Sequence, residues 1–276
     1  MAMPRANARP RRRTVRVTRP PRADHRPGFT LIELLVVVSI VTALLGVLFP
    51  ALSAVRSSAR GLVCASNMKS VATEFTWFAD GTASSGRGDS ESLGRGRFRI
   101  DDFQESLYRI DEFWTGPVGE PQTLDGRNEL MLCPAGATRL SKRDGAPCGS
   151  AAIGPVEDVS IGLNMRFRRA TMEFKGKTVL SPVASTFVHT SVLNHPYAPI
   201  AMDVNGVEAQ RRTLEPFYIA PPLNDVEDPY ADGRHWFPAS RHGGRVNAAF
   251  VGGHVLSSAN PAGERWDWSY QAEVGR

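Results

Sequence analysis

Residues 31–49, LIELLVVVSIVTALLGVLF, constrain the fold more than any other stretch, because they are apolar, small or hydroxyl-bearing throughout except for one acid, Glu33. At 1.5 Å of rise per residue, a helix of about 19 residues crosses a bilayer core. Lipid penalises an ionised carboxylate, so Glu33 needs a partner. Of the net charge of +5, residues 1–28 carry +8, from nine arginines and the single acid Asp24, which leaves −3 for the remainder. The basic balance therefore belongs to a short proline-containing leader and gives no ground for a nucleic-acid partner. Arginines ahead of an apolar span stay on the cytoplasmic side and attract anionic inner-membrane lipid. The run is longer than the apolar core of an ordinary secretory signal, and its glycine, Gly28, stands before the run rather than after it.

Gly28 is followed by Phe29, Thr30, Leu31, Ile32 and Glu33. This string resembles the N-terminal signature of type IV pilins and of type II secretion pseudopilins. The resemblance implies cleavage between Gly28 and Phe29 by a prepilin peptidase, methylation of the new amino terminus at Phe29, and assembly with other pilin or pseudopilin subunits. It further implies that Glu33 pairs with the amino terminus of a neighbouring subunit. Electrostatics agrees with that role: an ammonium at Phe29 is a cation able to neutralise a carboxylate in lipid, and head-to-tail repetition supplies one to every subunit.

Beyond Pro50, residues Leu52, Val55, Ala59, Leu62 or Val63, Ser66, Val71, Phe75 and Phe78 lie near a 3.6-residue stripe. Proline removes one backbone donor, which kinks or loosens a helix without having to end it. We therefore expect one helix over about 30–79. Four parts follow: a cleaved leader (1–28), a membrane and assembly segment (29–50), an amphipathic continuation (51–79) and a globular domain outside the inner membrane (80–276). Residues 80–97 are rich in Gly and Ser and read as a loop. Phe103, Leu107, Ile110 and Trp114 suggest a short amphipathic helix. Strands are predicted at 130–133, 159–167, 178–180, 187–192, 199–203, 246–251 and 254–258, with irregular coil over 214–237. The fold class is α+β: the pilin-like lollipop of a long helix on a mostly antiparallel sheet with long loops.

The string RHGGRVNAAFVGGHV over 241–255 resembles a C-terminal pattern of planctomycete-type pilin-like proteins, a His followed by nine residues and then Asp-Gly. Here His242 is followed by nine residues and Gly252-Gly253, so the aspartate is replaced. Leu132-Cys133-Pro134, Asn164-Met165, and Cys64 with Ser66-Asn67-Met68 extend that resemblance thinly. Either dipeptide suits a type I′ hairpin turn with positive φ at both central positions, so Gly252 and Gly253 are read as a structural turn. A metal site from Asp232, His235, His242 and His254 matches no established ligand spacing. The oxygens of Asn224, Asp225, Glu227, Asp228 and Asp232 read first as a solvated acidic loop rather than a calcium site. No nucleophile elbow, phosphate loop or zinc-protease pair is present, so no catalytic residue, metal ligand or cofactor is expected. Cys64, Cys133 and Cys148 permit at most one intramolecular disulfide, and the sequence does not choose the pair. The expected function is a filament-forming subunit, a secretion pseudopilin ahead of a surface pilus subunit. The rival is a membrane-anchored periplasmic enzyme or metal-dependent binding protein.

Overall fold

The computed structural model describes residues 28–80, 96–107, 123–125, 130–137, 139–142, 153–168, 170–174, 177–181, 186–222, 230, 232–268, 270 and 273–274. The chain divides into two units, Met1–Pro50 and Ala51–Arg276.

Helix α1 runs unbroken from Leu31–Asp80 with Pro50 inside it. Its start is fixed by a capping box: the Thr30 N–H and hydroxyl both donate to Glu33 Oε2, at 2.9 and 2.8 Å, and the Glu33 N–H donates back to Thr30 Oγ1 at 3.2 Å. In the first unit every residue of the helix is exposed within the single chain. It is the one helix among the described residues long and apolar enough, by length and composition, to cross a membrane.

In the second unit α1 buries Cys64, Met68, Val71, Ala72, Phe75 and Ala79, a run of three- and four-residue steps that keeps one face against the core. This corrects the phase read from sequence. Val71 and Phe75 face inward and Phe78 is half-buried, but Leu52, Val55, Ala59, Leu62, Val63 and Ser66 remain exposed. The apolar residues before Cys64 stay exposed, and the domain-facing stripe starts at Cys64. Phe75 is the centre of the core. It meets Phe98, Phe103 and Phe167 edge-on, with centroids 5.8, 5.2 and 5.8 Å away.

Around that face the strands are β1 (Arg97–Phe98), β2 (Thr123–Asp125), β3 (Arg139–Lys142), β4 (Ile153–Gly154), β5 (Ile161–Asn164), β6 (Ala170–Phe174), β7 (Lys177–Ser181), β8 (Thr186–His189), β9 (Pro199–Asp203), β10 (Tyr218–Ile219), β11 (Val246–Phe250), β12 (Val255–Ser258) and β13 (Glu273–Val274). Two shorter helices, α2 (Ile100–Leu107) and α3 (Gly206–Arg211), complete the regular structure. The main sheet has the order β10-β5-β9-β11-β12; the β10–β5 pair is parallel and the others are antiparallel. Three antiparallel groups, β1-β8-β13, β2-β3-β4 and β6-β7, flank it. Central β5, β9 and β11 are buried at every position, whereas edge strand β12 is largely exposed. The predicted α+β class, a long apolar helix with a mostly antiparallel sheet, is what the chain adopts.

Residues 130–133 form no strand. Their backbone is claimed by side chains: Asn67 Nδ2 donates to the Leu132 carbonyl at 3.1 Å, and the Cys133 N–H donates to Ser160 Oγ at 2.7 Å. The Gly136 N–H then closes a turn on the Cys133 carbonyl. The strand expected over 159–167 stops at Asn164, whose side chain accepts from the Arg166 N–H and starts a 3-10 turn, Met165–Phe167. Ile110, Trp114 and most of the loop expected over 80–97 lie outside the described residues.

Candidate functional site

Two places on the chain carry candidate chemistry. The first is the N-terminal junction. Gly28 and Phe29 precede the capped end of α1, both exposed, and a side chain built on Gly28 would meet nothing within 4 Å. Nothing among the described residues forbids a larger residue there, so a demand for glycine points to whatever binds the junction. Glu33 already has a partner within its own chain, Thr30, which the sequence reading did not assign.

The second place lies within Ala51–Arg276. Cys64, Cys133, Asp203 and His242 each bring one ligand-type atom into a group in which all such atoms lie within 4.8 Å of one another. Each arrives by a different route. Cys64 is the first wholly buried residue of α1. Cys133 is held by Ser160 and by the turn to Gly136. Asp203 ends β9 and is completely buried, its Oδ2 accepting from the Asn247 N–H of β11 at 2.9 Å. His242 opens a tight hairpin: it and Arg245 exchange backbone hydrogen bonds at 3.3 Å across Gly243 and Gly244, whose φ values are +64° and +81°.

That last turn relocates an expectation. Positive φ at two successive glycines, predicted at Gly252-Gly253, occurs instead at Gly243-Gly244. Between β11 and β12 only Gly253 is left-handed, at φ +75°, while Gly252 is not. The Gly253 N–H donates to the Phe250 carbonyl and the Phe250 N–H to the His254 carbonyl, the pattern of a three-residue hairpin loop with glycine at its left-handed position.

Within the cluster, Cys64 Sγ lies 3.4 Å from Asp203 Oδ1, Cys133 Sγ 3.4 Å from His242 Nε2, and His242 Nε2 3.3 Å from Asp203 Oδ2. The thiols are not joined. Their hydrogen bond splits their acidities: Cys133, as acceptor, is lowered to about 6, while Cys64 is raised by that bond, by burial and by the Asp203 charge. The hydrogen bond to Asp203 raises His242. Arg241 stands 4.0 Å from Asp203 and donates to the carbonyls of Ser160 and Val204, tying the segments behind the cluster together. His242 Nδ1 faces the backbone of α1 at Gly61 and is buried without a hydrogen-bond partner.

The sequence alone does not gather these four, because each comes from a separate segment and no pair has a motif's spacing. The histidines considered together there are apart in the fold. His254 stacks on Phe250, His235 packs edge-on to Tyr230, and Asp232 accepts from the Arg234 N–H. Asn224, Asp225, Glu227, Asp228 and Cys148 lie outside the described residues. The signal that was present is the thin resemblance itself. Cys64, Cys133 and His242 carry part of it and meet in the cluster, and Asn67 and Asn164 carry more of it and brace neighbouring backbone.

The chain thus pairs a glycine-preceded, capped helix start with an apolar helix long enough, by length and composition, to cross a membrane. Residues 25–49 match the prokaryotic N-terminal methylation motif, the signature of type IV pilins and pseudopilins. That signature implies processing by a prepilin peptidase and assembly with other pilin subunits. No curated protein and no solved structure matches the chain.

Proposed function

We propose that this chain is a structural subunit, not an enzyme, of a pilin-like filament, and that it works as a type II secretion pseudopilin. The leader lies in the cytoplasm and is cut after Gly28. Phe29 becomes the methylated amino terminus, and the unit Ala51–Arg276 stands in the periplasm. The observation that carries this reading is the junction of a capped helix at Thr30 with an apolar surface left exposed along 31–55 in the single chain. A surface so large is covered by lipid before assembly and by the helices of neighbouring subunits afterwards. Glu33 then has two successive partners. Thr30 holds it within the chain, and the ammonium of the next subunit neutralises it in the filament.

The test is co-expression with a prepilin peptidase. Intact-mass and N-terminal peptide analysis should show methylated Phe29 as the first residue, and a chain still beginning at Met1 in peptidase-positive cells would end the prepilin reading. Deletion from the native host separates the finer alternatives: loss of exoprotein secretion without loss of surface fibres supports the pseudopilin role, and the converse supports a surface pilus.

A further inference from the structure

We propose that Cys64, Cys133, Asp203 and His242 bind one zinc ion in a closed, four-ligand structural site. Two sulfurs, an imidazole nitrogen and a carboxylate oxygen are donor types that zinc takes and that calcium or magnesium, which favour all-oxygen shells, do not.

The distances fit. A tetrahedral zinc with Zn–S of about 2.3 Å and Zn–N or Zn–O of about 2.0–2.1 Å separates sulfur from nitrogen or oxygen by about 3.6 Å, and nitrogen from oxygen by about 3.3–3.4 Å. The observed separations are 3.4 Å for Cys133 Sγ to His242 Nε2 and 3.3 Å for His242 Nε2 to Asp203 Oδ2, and the other oxygen of the same carboxylate, Oδ1, lies 3.4 Å from Cys64 Sγ. Both sulfurs lie within the same 4.8 Å group without being bonded. A disulfide would draw them to about 2.05 Å and remove both from the ligand set.

Burial and charge point the same way. Cys64, Cys133 and Asp203 are wholly buried and His242 nearly so. Two thiolates and a carboxylate around zinc leave one negative charge, and the Arg241 guanidinium, 4.0 Å from Asp203, offsets it. Asp203 is further oriented by the Asn247 N–H, an outer-shell contact of the kind that fixes a ligating carboxylate. Four protein ligands leave no open coordination position, which makes the site structural rather than catalytic. Its work is to fasten α1, at the first buried turn of its inward face, to the end of β9, the hairpin before β11 and the loop after residue 132. These segments are far apart in sequence.

The experiment uses the full chain, purified in detergent under conditions that preserve thiols and counted for metal by elemental mass spectrometry. One zinc per chain is expected. Alkylation should spare Cys64 and Cys133 until a chelator is added, and the chelator should lower the melting temperature. Cobalt(II) in place of zinc should give the intense visible bands of a tetrahedral ion together with sulfur-to-cobalt charge transfer. C133S, D203N and H242Q should each reduce bound zinc to background, while C148S keeps one equivalent. Should the ligand variants fail to fold, the cobalt spectrum of the unmutated chain decides the matter. A folded wild-type chain that takes up neither metal, a mass showing a Cys64–Cys133 disulfide, undiminished zinc in C133S, or loss of zinc in C148S would each overturn the site.

Discussion

Gly252 is a position where one added carbon should be poorly tolerated. Its N–H donates to the Pro196 carbonyl at 3.0 Å, and the preceding Val251 N–H donates to Ala198 at 3.0 Å, so the loop between β11 and β12 lies directly on the chain entering β9. A Cβ at Gly252 would stand 2.9 Å from both Pro196 Cβ and Pro196 O, and 3.1 Å from His254 Nδ1. Two of those contacts are with a proline ring and a backbone oxygen, neither of which can swing away. Relief requires lifting the loop, which costs overpacking strain and at least one backbone hydrogen bond, together about 2–4 kcal/mol for Gly252→Ala. Gly253 sets the control. A Cβ there meets only Lys69 Nζ at 3.9 Å, so Gly253→Ala bears just the left-handed backbone cost of about 1–2 kcal/mol, and Gly253→Asn less. Gly252→Asp, which would restore the Asp-Gly pattern the sequence resembles, adds the same Cβ and should be no milder than Gly252→Ala. The assay is thermal and urea unfolding of a soluble fragment beginning at Ala51, followed by circular dichroism. For a domain of this size Gly252→Ala should lower the melting temperature by at least about 4 °C. Equal melting of Gly252→Ala and wild type, or a larger loss in Gly253→Ala, would refute the reasoning.

Gly28→Val should leave uncut precursor in peptidase-positive cells, seen by immunoblot as a single slower band. Because the site is open in this chain, the variant should insert in the membrane as well as wild type does. Glu33→Gln keeps an oxygen to accept from Thr30 and loses the charge, whereas Glu33→Leu loses both. If intersubunit charge pairing governs assembly, both variants should form few filaments by electron microscopy; assembly restored by Gln alone would shift the role of Glu33 to capping. Phe75→Ala opens a cavity among three edge-on rings and should cost about 3–5 kcal/mol in urea unfolding, a value near 1 meaning that the core collapses around it. Ser160→Ala leaves the buried Cys133 N–H without an acceptor and should cost about 1–3 kcal/mol, read in the same way.

Long periodic or uniform stretches were legible in the sequence. Helix α1 was expected over about 30–79 and runs Leu31–Asp80, and β9 was expected at 199–203 and occupies those residues. A fully apolar span and a central strand buried on both faces announce themselves by composition. The inward phase of α1 was not legible before Cys64, because Leu52, Val55 and Leu62 are as apolar as residues that pack. Residues 130–133 looked like a strand because Leu130, Met131 and Leu132 are apolar. Only the positions of Asn67 and Ser160 reveal that side chains, not a neighbouring strand, satisfy that backbone. The turn geometry was right in kind and wrong in place: a Gly-Gly pair after His242 and another after Val251 are indistinguishable until hydrogen bonds assign φ. The spacing Thr30-x-x-Glu33 fits a capping box as well as it fits an acid that lipid penalises, and the sequence does not separate the two roles of Glu33. As for the four-residue cluster, thiols were weighed as disulfide partners and histidines as metal ligands, and the fold mixes the two sets.

The domain-facing half of α1 touches the far end of the chain: Thr76 Oγ1 donates to the Val251 carbonyl and Lys69 Nζ to the Gly253 carbonyl. A ribosome makes this helix early and the strands that cover it late. Until Phe98, Phe103, Cys133 and Phe167 emerge the stripe from Cys64 to Ala79 has no native partner, and until β11 and β12 follow its cover is incomplete, with its thiol open to oxidants and to premature partners. Residues 31–49, held in a bilayer as proposed above, also hold one end of this waiting surface in place, so the unfinished chain is tethered while the later strands arrive. Tethering lowers the chance that two unfinished chains meet through their bare stripes, and truncation before β11 should therefore yield aggregates rather than a smaller folded domain.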